Sequence, residues 1–291
     1  MAAISIIIPV WNRADYLPRL FRSLASVSYE ELEVVLVDNG STDGSLGLCH
    51  SFAESAPMVV TLLEEPQRGA ARARNCGLRY CKTEWVYFFD CDDELSPLFL
   101  NEIMSNLSDA DMVVFPTMQD VGGVVRQRSF HPSAKPSTQI LSSTMNTQGM
   151  LFRTDFLRQI GGWNDSLFIW DDWELGIRAL LHSPRIKWVG QKAYHHIYVH
   201  EDSLTGPSMT ERLPSILHTL EVVETELQNP RDRRALYFRY EILNGLLMNE
   251  GSRPVEVPLS VGLFYRMVGA MFRRYTAKGG KGTWRFAMFF C

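Results

Sequence analysis

The chain has 291 residues, of which 46% are hydrophobic and 21% charged, with a formal net charge of −4. That mix excludes a disordered chain and supplies enough apolar side chains to bury a core without covalent staples. The five cysteines (Cys49, Cys76, Cys81, Cys91 and Cys291) form no CxxC pair, so free thiols in a reducing compartment are expected.

The run Ile4–Val10 is apolar, but no basic segment precedes it and it is too short for a secretory signal. It is expected to be a first strand, and the chain cytoplasmic. The tripeptides starting at Asn39, Asn106 and Asn164 then match the glycosylation pattern by chance. Charge is unevenly spread. From Arg253 onward seven Lys/Arg face one acid, Glu256, so this tail carries +6, whereas residues 1–252, with 22 basic and 32 acidic side chains, carry −10. A basic tail on an acidic body points to an anionic surface as partner, membrane lipid first. No nucleic-acid partner is expected.

Four apolar runs, Ile4–Val10, Glu33–Val37, Met58–Leu63 and Glu84–Phe89, alternate with helically spaced stretches at Ala14–Val27, Ser45–Ser55 and Ala70–Tyr80. Their near-continuous hydrophobicity marks parallel strands covered on both faces. The alternation predicts an α/β fold with a mostly parallel central sheet flanked by helices, its ligand lying beyond the carboxyl ends of the strands. After Pro97 the pattern predicts a helix (Leu98–Leu107) and a strand (Asp111–Pro116), then a long loop or small hairpin to about Thr147. Met150–Gly162 reads as strand, helix and turn, Trp170–His182 as a helix opening with acids, and Ile186–Val199 as one extended segment. From about Pro207 the chain reads as helical to its end, which divides it into a domain of residues 1–205 and a helical extension of residues 206–291.

Polar and acidic groups gather at the strand ends. The first strand leads into Pro9-Val-Trp11-Asn12, the second into Asp38-Asn-Gly-Ser-Thr-Asp43, and the fourth into Asp90-Cys-Asp92-Asp93. Three carboxylates within four residues repel one another unless a cation compensates them. Mg²⁺ or Mn²⁺ would do so, with one or two carboxylates and phosphate oxygens as ligands. A solvated acidic turn is the competing reading of this cluster alone. Asp38 is placed to accept a hydrogen bond from a nucleobase or ribose, whereas Asp43 reads as a cap. Arg72 and Arg74, in the helix that opens at Gly69, are either exposed helix positions or ligands for an anion on the same rim. Of Asp171 and Asp172, one is expected to cap its helix and the other to be a general base. His195, His196 and His200 stand at no recognised metal spacing. Gly279–Thr283 follows no strand and is set aside as a phosphate loop.

SIIIPVWNR, VVLVDNGSTDGS, GAARARNCG, FFDCDD, GGWNDSLF and WDDWEL, in that order, resemble the inverting family 2 glycosyltransferases of GT-A fold over roughly residues 3–205. The resemblance implies transfer of a sugar from a nucleoside-diphosphate sugar, a UDP-sugar first, to a hydroxyl of a lipid-linked glycan acceptor, as in bacterial surface-polysaccharide synthesis. Pro9 and Trp11 match the motif that cradles the base, with tryptophan where tyrosine is usual. Asp38 matches the residue that reads the base, Arg74 a nucleotide-binding arginine, and Asp90 the acid that contacts ribose. Asp92 matches the acid that holds an Mn or Mg divalent cation, and His200 a histidine that reaches the same ion. Asp172 matches the catalytic base. Asp171 stands where the family has glutamate, on the acceptor side.

Two other function classes compete with this one. A sugar-phosphate nucleotidyltransferase would want a glycine-rich basic loop after the first strand, and PVWNRADYL has no glycine. An inactive sugar-nucleotide-binding module would be expected to lose acids, and Asp90, Asp92 and Asp172 are present. A processive synthase would want membrane spans and a Gln-x-x-Arg-Trp motif, neither of which is seen. Residues 258–275 are expected to form one amphipathic helix lying on the cytoplasmic membrane face, with Trp284, Phe286, Phe289 and Phe290 as further anchors. On its wheel a broad apolar face from Leu259 to Phe272 opposes a narrow one holding Gly262, Arg266, Gly269 and Arg273. Packing of its apolar face on the catalytic domain or a second subunit is the alternative.

Overall fold

The first apolar run forms β1 (Ile4–Val10), in which Ile4, Ile6, Ile7, Ile8 and Val10 have no exposed surface. A strand buried on both faces belongs inside a sheet with helices above and below it. In the computed structural model β1 lies within a seven-stranded sheet. The structure describes residues 3–105, 107, 109–190, 192–199 and 208–291. β2 (Leu32–Asp38), β3 (Val59–Glu64) and β4 (Trp85–Phe88) join β1 in parallel, linked by α1 (Leu17–Ala25), α2 (Ser45–Ser55) and α3 (Ala70–Tyr80). α1 opens at Leu17 rather than Ala14. Pro18 lies in its first turn, where a missing N–H costs nothing.

α4 (Phe99–Met104) and β5 (Met112–Val114) follow, both shorter than their sequence patterns. The stretch before Thr147 resolves into a hairpin of β6 (Thr117–Val121) and β7 (Val124–Gln127) and a helix α5 (Pro136–Ser142). β8 (Met150–Arg153) runs antiparallel between β4 and β5 and leads into α6 (Thr154–Gln159). After α7 (Asp171–Leu181), the expected extended segment divides in two. β9 (Ile186–Trp188) ends the main sheet, whose order is β3-β2-β1-β4-β8-β5-β9, and β10 (Tyr194–Val199) joins a second sheet of order β10-β6-β7.

The C-terminal part is α8 (Met209–Glu226), α9 (Pro230–Asn249), α10 (Leu263–Ala277) and the short α11 (Thr283–Ala287). It is not helical throughout. Gly251, with φ of 80°, turns the chain after α9, and Pro254 and Pro258 keep the following stretch out of a helix. The expected helix of residues 258–275 therefore begins only at Leu263, and Leu259 is buried ahead of it.

Apolar side chains fill both faces of the main sheet, one layer around Ile6, Val34 and Tyr87, the other around Ile7, Val35 and Phe88. A third core joins α8, α9 and α10 to Ile140 of α5 and to Trp173 and Ile177 of α7. The C-terminal helices thus share buried side chains with the helix that carries Asp171 and Asp172.

Candidate active site

β1, β2 and β4 all end on one rim, with Val10 paired to Asp38 in register. Pro9 has no N–H to give a ladder. It has the parity of Ile7, whose carbonyl accepts from Phe89, so its bare nitrogen falls beyond the end of β4 at Phe88. Trp11, 39% exposed, stands just past β1, and the Arg68 guanidinium lies 3.3 Å from its ring centre.

Asp38 closes β2 and is buried. Its Oδ2 accepts the backbone N–H of Gly40 and of Ser41, each at 3.1 Å, while Oδ1 is buried with no donor to it. Buried polar atoms are nearly always paired, so this oxygen marks an acceptor held open. Asn39 ties the rim together: its Nδ2 donates to the carbonyls of Glu65 and Gln67, and its Oδ1 accepts from Gly69 ahead of α3. Asp43 is not the cap expected, since Gly44, with φ of 93°, holds the N-cap position of α2. Its carboxylate instead accepts the Ser45 N–H and hydroxyl and the Ala14 N–H, tying the turn after β2 to the segment after β1.

Arg74 is the centre of the site. It projects from α3, is buried, and lies 4.3 Å over the Trp163 ring. One guanidinium nitrogen donates to Asp90 at 2.8 Å and another to Asp171 at 2.8 Å. The strand-end acid and the helix-opening acid, 81 positions apart in sequence, are thereby held in one cleft. Gln148 reinforces the tie by donating to Asp90 at 2.8 Å and to Asp93. Asp93 also accepts the Tyr198 N–H at 2.7 Å, and burial together with neighbouring Asp92 and Asp90 pushes its carboxyl well above the usual carboxylate range. Arg13 approaches Asp92 at 3.7 Å, and Arg19 donates to the Asp92 carbonyl.

α7 begins at Asp171, and its N-cap residue is Trp170, with φ of 61°; neither aspartate is the cap itself. Both still serve the helix start, Asp171 accepting the Asp172 N–H at 3.0 Å and Asp172 the Trp173 N–H at 2.7 Å. The second oxygen of Asp172 accepts the Thr147 N–H at 3.2 Å. Burial raises the Asp171 carboxyl, opposed by the Arg74 guanidinium and reinforced by Asp172 and Asp90. Behind this pair Arg178 bonds Glu174 and the carbonyls of Ile160 and Gly162, fixing α7 against the loop that leads to Trp163.

The rim brings together Pro9, Trp11, Asp38, Arg74, Asp90, Asp92, Asp171 and Asp172. His200 lies outside the described residues. His195 is buried among Tyr87, Phe89, Phe99 and Phe115, accepts the Ser96 N–H at 3.1 Å, and is a packing residue. For a divalent cation, no group of three or more His, Cys, Asp or Glu among the described residues is arranged to hold one. The hard carboxylate oxygens of Asp92 still suit an ion whose other ligands come from a diphosphate. Sequence patterns alone do not single out Arg13, Trp163 or Gln148 as site residues. Arg13 adjoins the PVWN run and was within reach, but Gln148, 58 positions from Asp90, left no signal.

Comparison with known proteins identifies the family and the fold. TarS of Staphylococcus aureus, a poly(ribitol-phosphate) β-N-acetylglucosaminyltransferase, is 28% identical over 207 residues, 67% of this chain and 35% of TarS. The glycosyltransferase GlyG of Streptococcus pneumoniae is 32% identical over 113 residues, 38% of each chain. The chain thus covers less than half the length of these curated relatives. A crystal structure of TarS with UDP-GlcNAc superposes with a TM-score of 0.70 over 99% of this chain and 90% of that one, at 18% identity, which shows a common GT-A fold. The mannosyltransferase PcManGT of Pyrobaculum calidifontis, solved with GDP-Man and Mn²⁺, gives a TM-score of 0.65 at 18% identity, covering 94% and 85%. Residues 5–162, more than half of the chain, match the family described as Glycosyl transferase family 2, and the chain belongs to that family.

Proposed function

We propose that this protein transfers a sugar from a nucleoside-diphosphate sugar, UDP-linked, to a hydroxyl of a glycan or lipid-linked glycan acceptor, with inversion at the anomeric carbon. The observation that carries the reading is the Arg74 bridge, 2.8 Å from both Asp90 and Asp171, which joins a donor-side acid to an acceptor-side pair in one cleft. The open Oδ1 of Asp38 supports recognition of a base N–H. Ligands named for the structural relatives, UDP-GlcNAc for TarS and GDP-Man for PcManGT, support a nucleotide sugar, and the name of TarS supports an N-acetylhexosamine and a phosphate-bearing polymer.

In this reading Trp11 stacks the base, Asp38 accepts its N–H, and Asp90 contacts the ribose. Asp92, with His200, would hold an Mn²⁺ or Mg²⁺ ion, which when bound neutralises the diphosphate and eases departure of the nucleotide. Asp172 takes the proton of the acceptor hydroxyl as that oxygen attacks the anomeric carbon from the face opposite the nucleotide. The C–O bond to the acceptor forms as the bond to the diphosphate breaks, so configuration inverts and no enzyme-bound sugar intervenes. Asp171, ion-paired with Arg74, positions the acceptor.

The test is a screen of sugar nucleotides with acceptor glycans, in which Asp172→Asn should lower transfer by roughly 10²–10⁴-fold. Calorimetry with UDP should find the affinity of that variant within about twofold of wild type. Loss of UDP binding in a folded Asp172→Asn protein would move the residue to the donor side. Formation of a sugar nucleotide from a sugar phosphate would favour a nucleotidyltransferase.

A further inference from the structure

α10 is amphipathic, and its glycine-bearing side is the one that packs. The side holding Gly269 and Arg273 faces α9 rather than solvent. A Cβ on Gly269 would lie 2.7 Å from the Tyr237 ring, and one on Gly245 of α9 would lie 2.6 Å from the Thr276 side chain. Arg273 pairs with Glu241 at 3.5 Å, and Phe272 is buried against Phe238 with ring centres 5.4 Å apart. Two glycines at the contact let the helix axes approach closely and fix how α10 is turned.

Much of the apolar surface is consequently left outside. Leu263 (72% exposed), Phe264 (59%), Met267 (62%), Met271 (67%) and Tyr275 (52%) form one outward stripe. Phe264 packs 5.9 Å from Phe290, bringing the terminal turn alongside, where Phe289 is 84% exposed. Large side chains seldom stay in water at this density without a partner. Arg266, Arg274, Lys278 and Lys281 are exposed around the stripe, and none of them has a carboxylate partner among the described residues. Glu256 is the one acid beyond Arg253.

We propose that this face is a docking surface for an anionic lipid bilayer, with α10 lying in the interfacial plane and Phe289 inserted beside it. Apolar depth and surrounding cations together are what such a surface requires. A two-fold pairing of this face with a second copy would set one +6 tail against another, which charge opposes. No helix of the described residues is long and apolar enough to cross a membrane, so the contact lies on the bilayer. The inference needs neither a particular donor nor the transfer chemistry.

Flotation of the full chain with vesicles tests it. The chain should float with phosphatidylcholine–phosphatidylglycerol vesicles, far less with phosphatidylcholine alone, and less again in high salt. Arg274→Ser with Lys278→Ser should lower partitioning roughly thirtyfold at low salt, from about 1 kcal/mol for each cation. Met267→Ser with Met271→Ser should abolish it while leaving thermal melting unchanged, since both side chains are exposed. An intact chain that stays at the bottom of the gradient with every vesicle would overturn the proposal. So would a methionine variant that dissociates a concentration-dependent oligomer yet binds vesicles as before, which would assign the face to a second copy.

Discussion

Arg74 directs its two terminal guanidinium nitrogens at carboxylates that serve opposite sides of the proposed reaction, and a planar fork is what meets both at 2.8 Å. Lysine keeps the charge but offers a single point. Arg74→Lys is therefore expected to lower kcat/KM at least about tenfold, with the loss mainly in kcat, because the register of Asp171 against Asp90 relaxes. Steady-state kinetics with the donor and acceptor found by screening would measure this. Asp38→Asn keeps the shape of the side chain but replaces one acceptor oxygen with a donor group. UDP affinity should fall roughly tenfold or more, since a buried hydrogen bond to a charged group contributes about 1.5–3 kcal/mol, and calorimetry would read it. Asp92→Asn should remove turnover and its divalent-ion dependence together. Full activity in excess chelator would defeat the metal role.

At the scale of elements, the rim depends on how closely helices approach strands. A Cβ on Gly77 of α3 would lie 2.5 Å from Cγ2 of Ile7, itself fully buried in β1. Glycine at this position lets α3 sit low enough on the sheet for Arg74 to reach both acids. Gly77→Ala is expected to cost about 1–3 kcal/mol through overpacking, visible as a lower urea midpoint with an unchanged slope. Donor binding should weaken as well, since α3 would have to lift. If stability and binding are both unchanged, α3 is not held by this contact.

For the whole molecule, stability should depend on pH in a way that one buried histidine can report. His195 is buried among aromatic rings, which lowers it from 6.5 to about 3, so it stays neutral in the folded chain. The unfolded chain takes up that proton first as pH falls below about 6.5. Its contribution is therefore present above that pH and is lost as pH drops toward 3, by a total on the order of 3–5 kcal/mol. Asp93 and Asp171 act with the opposite sign. Their folded carboxyls are raised, so their contributions are present at low pH and lost as pH rises. His195→Gln keeps an acceptor for Ser96 and cannot titrate. It should flatten the acid limb of thermal melting between pH 6 and 4 relative to wild type, and an unchanged limb would remove His195 as its cause.

What the sequence by itself determined is the layered α/β sheet and the residues along its rim. Strands buried on both faces must be apolar throughout, so β1, β2 and β4 stood out, and the acids at their ends were placed by the parallel topology. The division of Ile186–Val199 into β9 and β10, in two different sheets, was not legible, because the segment reads as extended on both sides of the break. The hairpin of β6 and β7 lies in the stretch read as a long loop or small hairpin. Only the tertiary structure decided which groups meet the acids. Arg74 reaches Asp171 across 97 positions and Gln148 reaches Asp90 across 58, and no local pattern encodes such pairings. The facing of α10 was likewise decided in three dimensions. Periodicity shows that a helix has an apolar side, but two glycines against Tyr237 and Thr276 chose which side could be brought close enough to pack.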